Sequence, residues 1–498
     1  MKTEASPDRT LPGPLADGLV FITSFVVLVL EIVAGRLLAP YVGVTLETFT
    51  TIIGVVLAGI AVGTWGGGTL ADRTPPRRLL GPMLVGGGML TFLVIPVIRV
   101  VGPAVGPNSI VGLMMLTFLG LFVPAAMLSA VSPTVVKLQL LDLESTGATV
   151  GRFSALGTAG ALFGSFMTGF VFVARVSSTT IVVGVGILIT LLGLVVWTML
   201  GRSQRSLAGT TVAALALATV FNYSLTGPCQ VESHYFCARV VADEEGGSGR
   251  FLILDTLRHS FVDLEDPTHL EFDYSLSFAD VIQVSFPEQR PVTALHIGGG
   301  GFTFPRWIAA EYPGSESLVL ELDATLVELV QNEMGLVLSD DLRVRTGDAR
   351  TGLLDQPDDR YDVVLGDAFG GLAVPWHLTT VEFTREVDRV MTDNGIYLIN
   401  LIDYPPLSFA RAEVATLRAV FEHVAVVSSP TKFDADAGGN LVLVASHQPI
   451  DAAAIDVLAR SRNDDDVAHV DAALDEWIGD AQILTDEFAP VDQLLTTP

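Results

Sequence analysis

Four glycines, Gly298, Gly299, Gly300 and Gly301, follow the apolar run Ala294-Leu-His-Ile297. A second apolar run, Leu318-Val-Leu320, ends in Glu321-Leu-Asp323. Two more acids follow later runs, Asp348 in Thr346-Gly-Asp-Ala349 and Asp367 in Leu365-Gly-Asp-Ala-Phe369. Glycines let backbone approach a ligand closely, because they carry no Cβ. A carboxylate is an acceptor, so Glu321 or Asp323 suits the paired hydroxyls of a ribose and Asp348 suits an adenine amino group. The G-x-G-x-x-G spacing that seats a pyrophosphate is missing, since Phe302, Thr303 and Phe304 fill the following turn. The set favours an adenosylmethionine-type ligand, which carries no phosphate, over NAD.

Strand ends must present these groups. From Val292 onward, expected strands at Val292–Ile297, Ser317–Leu322, Leu342–Thr346, Asp362–Leu365, Gly395–Leu401 and Leu441–Ala445 alternate with helical patterns. Such alternation predicts an α/β Rossmann-like domain of the methyltransferase type, with a mainly parallel sheet and helices on both faces, over 291–498. Ligands then bind at the carboxyl ends of the strands, near the switch in strand order. Before it, Tyr235–Val241 and Phe251–Asp255, separated by glycines at 246–249, read as a small antiparallel β unit over 226–290.

The first half is of another kind. Seven apolar segments, near 18–39, 48–71, 79–101, 109–136, 150–174, 178–200 and 207–225, are long enough to cross a bilayer. They predict a multi-pass transmembrane helical domain over 1–225. Their Gly, Ala, Ser and Thr content suits close helix packing in lipid. Charge divides the chain the same way: residues 1–226 carry a formal +4 and the remainder −31. An acidic domain of that size repels nucleic acid and anionic lipid. Its charge reads as a solvated surface or as an attraction for a polycation.

Short-loop charges set an expected orientation. Lys2, Arg9, Arg73, Arg77, Arg78, Lys137, Arg152, Arg202 and Arg205 fall on one side; Arg36, Arg99 and Arg175 fall on the other, at helix ends. This places the N-terminus in the cytoplasm and, after seven crossings of the cell membrane, the second half outside it. Cys229 and Cys237 follow the last crossing. In an oxidising compartment they can close a small disulfide loop; otherwise they are two unrelated thiols. His234 beside them does not complete a metal-ligand set, and no metal is expected. Glu31, within the first segment, either lines a polar cavity or pairs with another helix.

The second half resembles the spermidine synthases, the polyamine aminopropyltransferases. It looks especially like their membrane-fused branch, often described as fused transporter/spermidine synthase proteins. The resemblance runs through Leu254-Asp255, Tyr274, Gly298–Gly301, Glu321-Leu-Asp323, Gly347-Asp348 and Asp367-Ala-Phe369. It continues through Pro375-Trp-His-Leu-Thr-Thr-Val-Glu-Phe383, Asn394-Gly-Ile396 and Leu484-Thr-Asp-Glu-Phe-Ala-Pro-Val491. The resemblance implies that Glu321 holds ribose, Asp348 holds adenine and Asp367 is catalytic. The donor would be decarboxylated S-adenosylmethionine, or S-adenosylmethionine itself, and the acceptor an amine or polyamine. A homodimer is compatible with it. Two positions depart from the pattern: Gly301-Phe302 stand where soluble members carry an Asp, and Gly370 stands where they carry a second Asp that helps hold the diamine. Other groups must then line the acceptor pocket, with Tyr274, His259 and His377 as candidates beside Asp263, Glu265 and Asp266.

Three activities fit these residues. The first is aminopropyl transfer to an amine. The second is methyl transfer from S-adenosylmethionine. The third is binding of a polyamine or nucleoside by a transporter or sensor without chemistry, which an external location favours because adenosylmethionine is made in the cytoplasm.

Overall fold

Glycine spacing governs the first half of the chain. The computed structural model describes residues 11–106, 109–140, 146–200, 205–244, 247–369 and 374–496, with backbone alone over 205–208. Lys2, Arg9, Arg202, Gly246 and Gly370 lie outside the described residues, as does the side chain of Arg205. The chain divides into two compact units, Met1–Arg239 with Leu254–Thr256, and Val240–Ile253 with Leu257–Pro498.

Among the described residues of the first unit six helices are long and apolar enough to cross a membrane: Gly13–Val42, Leu46–Arg73, Pro76–Ala104, Ile110–Gln139, Thr146–Phe172 and Ser178–Leu200. The seventh expected segment is also helical, over Arg205–Ser224, but is not among those six. Alanine supplies much of its apolar surface, and Asn222, Tyr223 and Ser224 dilute its end. Gly59, Gly63 and Gly67 form one ridge of Leu46–Arg73. A Cβ on Gly63 would stand 2.0 Å from the Ala126 carbonyl oxygen, and one on Gly67 2.6 Å from that of Ala130. Gly160 and Gly164 meet the first helix as closely, at 2.2 Å from Phe21 O and 2.5 Å from Phe25 O. Lipid offers no hydrophobic drive for helix association, so backbone contact of this kind supplies the packing energy. Beyond the helices, Cys229 and Cys237 form a disulfide with their Cα atoms 5.1 Å apart.

The small sheet has four strands in the order β1 (Val231–Glu232), β2 (Cys237–Ala242), β3 (Gly249–Leu254) and β4 (Leu257–Asp263). It is twice the two-stranded unit read from the sequence.

The large sheet comprises β5 (Thr293–Ile297), β6 (Glu316–Glu321), β7 (Leu342–Thr346), β8 (Tyr361–Gly366), β9 (Met391–Asp403), β10 (His423–Ser428), β11 (Gly439–Ser446) and β12 (Val467–Val470). Its order is β12-β10-β11-β9-β8-β5-β6-β7. Pairings from β7 to β9 are parallel. Those joining β9, β11, β10 and β12 are antiparallel. The sheet is therefore mixed, where alternation alone indicates a mainly parallel one. The two strands not foreseen account for two of the three antiparallel pairings, and the third joins β9 and β11, both foreseen as strands. β10 is an unbroken Val-Ala-Val-Val run without polar alternation, as burial on both faces allows, and β12 has four residues after three aspartates. Side chains of β9 alternate between two cores. Tyr397, Ile399 and Leu401 join Phe383, Phe409 and Leu417; Ile396 and Leu398 join Phe278, Trp307 and Ile308. Strand order reverses between β5 and β8, which sets a crevice at their carboxyl ends.

Candidate active site

The crevice begins where β5 stops. Gly298 N–H donates to Leu320 O at 2.9 Å, and Asp367 N–H donates to Ile297 O at 2.9 Å. These bonds bring the two loops together so closely that a Cβ on Gly298, whose φ is 94°, would stand 2.3 Å from Asp367 O. Gly300 is also left-handed, with φ 49°, and its missing Cβ would meet Ser260 Oγ at 2.6 Å and His259 Cε1 at 3.0 Å. Here only glycine combines the torsion with the space. Phe302 takes a left-handed conformation too and is fully buried, starting the helix Thr303–Glu311.

Glu321 ties this loop. Its Oε2 accepts from Gly299 N at 2.8 Å and Gly300 N at 3.2 Å, and its Oε1 accepts from Asp323 N at 2.9 Å. A carboxylate offers about four acceptor sites, so about one remains for a ribose hydroxyl. The residue is first an organiser of the glycine turn, a task that strand-end position alone does not reveal. Asp323 caps the helix Ala324–Glu333, accepting from Thr325 N and Leu326 N. Its Oδ2 is buried and has no partner among the described residues.

Asp348 also caps a helix, Ala349–Leu354, through Thr351 N at 2.9 Å. Its other oxygen meets His377 Nε2 at 2.8 Å. Partial burial works to raise the Asp348 pKa, but the hydrogen bonds from Thr351 and His377 prevail and hold it below the usual value. Arg350 braces this wall: Nη1 donates to His377 O at 3.1 Å and to Asp486 Oδ1 at 2.7 Å, while Nη2 meets Asp486 Oδ2 at 2.6 Å. Leu484-Thr-Asp486 therefore supports the wall from the far end of the chain.

Asp367 follows β8 and is half-buried. Tyr274 donates its hydroxyl to Oδ2 at 3.1 Å, and Asn400 Nδ2 donates to Oδ1 at 2.9 Å. Asn440 Nδ2 donates in turn to Asn400 Oδ1 at 2.8 Å. This line of donors fixes the carboxylate plane. Burial, followed by the charge and hydrogen bond of Asp367, pushes the Tyr274 phenol well above its ordinary pKa, so it stays a proton donor. Asn400 and Asn440 were not foreseen. An asparagine in the apolar strand Ile399-Asn-Leu401 is the signal that could have found the first, because a buried amide needs a partner.

A cavity of about 30 Å³ beside Asp367 is lined by Tyr274, Phe272, Ser260, His296 and Gly298. Burial lowers His296 to about 3, so it is neutral and only meets Ser317 Oγ at 3.2 Å. His259 reaches the glycine loop through Ser260, whose Oγ accepts from Gly301 N at 3.0 Å and meets His259 Nδ1 at 3.0 Å. Tyr274 thus stands at Asp367, His259 at the glycine loop and His377 at Asp348. Asp263 accepts from Ser248, Glu265 N and Asp266 N in a turn of its own.

With this geometry in hand, the relatives are informative. A polyamine aminopropyltransferase of Vibrio vulnificus is 29% identical over 220 residues, 41% of this chain and 70% of that protein. The chain is similar to polyamine aminopropyltransferases. A probable polyamine aminopropyl transferase of Bifidobacterium longum is 27% identical over 109 residues, which span 24% of it. The eEF1A lysine and N-terminal methyltransferase of Mus musculus is 25% identical over 123 residues and 18% of its length. Among solved structures, a probable spermidine synthase from Corynebacterium glutamicum matches 54% of this chain and 98% of its own at 27% identity, with a TM-score of 0.49. No protein-family model matches the chain.

Proposed function

We propose that the second unit transfers an aminopropyl group from decarboxylated S-adenosylmethionine to an amine, in a protein anchored in the membrane by its first unit. The observation that carries this reading is the Asp367 carboxylate, held by Tyr274 and Asn400 at the strand switch beside the glycine turn. Glu321 and the glycine turn would take the ribose, and Asp348 with His377 the adenine. A neutral amine placed beside Asp367 attacks the propyl carbon bonded to the sulfonium. The new C–N bond forms as the C–S bond breaks, and its electron pair neutralises sulfur, releasing methylthioadenosine. The amine proton passes to Asp367 or to water. Fixed orientation of both reactants supplies much of the acceleration. Similarity to a Vibrio aminopropyltransferase over most of that protein supports the same chemistry.

The weaker similarity to eEF1A methyltransferases favours a second reading, methyl transfer from S-adenosylmethionine. Calorimetry of the purified protein with both donors, methylthioadenosine and a panel of polyamines separates the two. The proposal expects tighter binding of the decarboxylated donor together with at least one polyamine. Tighter binding of S-adenosylmethionine, without any polyamine, would replace aminopropyl with methyl transfer; binding of none would remove the enzyme reading.

With Arg205–Ser224 counted as a seventh crossing, the loop charges favour a cytoplasmic N-terminus and an external second unit, and the Cys229–Cys237 disulfide supports that reading. With the six strongly apolar helices alone the second unit would be cytoplasmic, where the donor is made. On seven crossings, reporter fusions at the C-terminus should be active only outside the cytoplasm. Activity only inside would reverse the orientation.

A further inference from the structure

Within the first unit, a cavity of about 250 Å³ opens where the helices meet the disulfide-closed segment. Its apolar side is Leu37, Ile95 and Ile98, and its polar side is Arg99, Tyr41 and Glu232. That volume is about eight times the share of one water in the liquid, so a ligand of several heavy atoms fits.

The polar side is unbalanced. Glu232 is already engaged: its carboxylate accepts from Ser178 N and Ser178 Oγ, and Arg36 Nε lies 3.6 Å from Oε1. Arg36 also donates to the carbonyls of Ser233 and His234. Arg99, by contrast, has no carboxylate partner among the described residues. Nη1 donates to Leu225 O at 2.7 Å and Asn222 O at 3.3 Å, and Nη2 donates to Thr179 Oγ1 at 2.8 Å. Of five guanidinium donors, the Nε–H and one Nη2–H are unclaimed. Tyr41 Oη likewise has no hydrogen-bond partner among the described residues.

Gly227 leaves that edge open. A Cβ there would stand 3.3 Å from Arg99 Nη2, 3.6 Å from Cζ and 3.9 Å from Nε, so any side chain would crowd the two unclaimed donors. We propose that the cavity binds an oxyanion with a short apolar tail, its carboxylate or phosphate oxygens on the free edge of Arg99 and on Tyr41, its tail on Leu37, Ile95 and Ile98. The free groups of Arg99 are donors only, and a protonated amine offers them no acceptor, so the site favours an anion over a polyamine. A free short-chain acid and an anionic lipid headgroup present the same chemistry.

Calorimetry of the full chain in detergent, with hexanoate, hexyl phosphate and spermidine as probes, tests the site. Native mass spectrometry with phosphatidylglycerol against phosphatidylcholine tests the lipid source. The expected result is saturable binding of hexanoate or hexyl phosphate, or selective retention of phosphatidylglycerol, and no effect of spermidine. Arg99→Gln should weaken the anion at least tenfold. Gly227→Val should do the same while leaving the three bonds of Arg99 in place, with the thermal transition and the disulfide unchanged. Binding of spermidine in preference, absence of any anion binding, or anion affinity indifferent to Gly227→Val in the folded variant would overturn the proposal.

Discussion

Glycine does two unlike jobs in the two units. In the first, Gly63 and Gly67 are helical, and each lies under a carbonyl of a neighbouring helix. They give up a side chain so that two backbones touch. In the second, Gly298 and Gly300 take left-handed torsions that turn β5 toward the crevice. There the lost side chain makes room for Asp367 and Ser260. The first use is periodic and part of the fold's stability; the second is local and part of the site. Residue type alone does not separate them. Their neighbours in the chain do: apolar residues at helical spacing in one case, acids at strand ends in the other.

Five substitutions probe that contrast, the largest expected effect first. Asp367→Asn removes the proton acceptor and keeps its shape, so kcat should fall by about 10² to 10⁴ with nucleoside affinity almost unchanged, measured by turnover and calorimetry. Wild-type turnover would remove Asp367 from the chemistry. Gly63→Val and Gly300→Val form the direct test. The first should cost about 3 kcal/mol or more through overpacking, read as a lower thermal transition with nucleoside affinity retained. The second should weaken the nucleoside at least tenfold with the transition of the helices retained. If both variants lose both properties, the two roles are not separable.

Asn400→Leu then separates positioning from chemistry. Losing one hydrogen bond to a charged group costs about 1.5–3 kcal/mol. It should lower kcat by about tenfold or more and shift the pH profile of turnover, with donor KM little changed. A pH profile identical to wild type would leave Asn400 a purely structural residue. The smallest effect is expected at Glu413, which is fully buried, with burial pushing its carboxyl well above the ordinary value. A folded pKa above the unfolded one means the native state holds the extra proton. Stability is therefore fully present below pH about 4.5 and declines as pH rises toward the folded pKa. Glu413→Gln should raise the melting temperature near neutral pH by a few degrees and flatten this decline between pH 5 and 8. An unchanged pH dependence would show that Glu413 is not the group responsible.

The alternation of strands and helices made the fold class legible in the sequence. Glu321, Asp348 and Asp367 could be named as candidates because each stands at or just after a strand end. The structure adds that two of the acids, Asp323 and Asp348, cap helices, and that Glu321 spends most of its acceptor capacity on the glycine turn. Helix caps and ligand acids look alike in sequence, because both sit where a strand gives way to a helix. Asn400, Asn440 and Ser260 were not legible. Asn400 and Asn440 lie 33 and 73 positions from Asp367 and meet it or each other only through the register of the large sheet, while Ser260, 107 positions away, reaches the glycine loop from the small sheet. β10 and β12 escaped because a strand buried on both faces shows no alternation and a four-residue strand shows little pattern at all. The seventh helical segment was read correctly as helix, but its alanine-rich surface leaves it outside the six strongly apolar ones.

The central claim is that Asp367 and the glycine turn together run an aminopropyl transfer. Its most direct test is to incubate purified protein with decarboxylated S-adenosylmethionine and a polyamine panel, and to measure methylthioadenosine and the extended amine together by mass spectrometry. The account predicts the two products in equal amounts from at least one amine, both formed about 10²-fold or more slowly by Asp367→Asn. Release of S-adenosylhomocysteine from S-adenosylmethionine, with no methylthioadenosine from the decarboxylated donor, would contradict it.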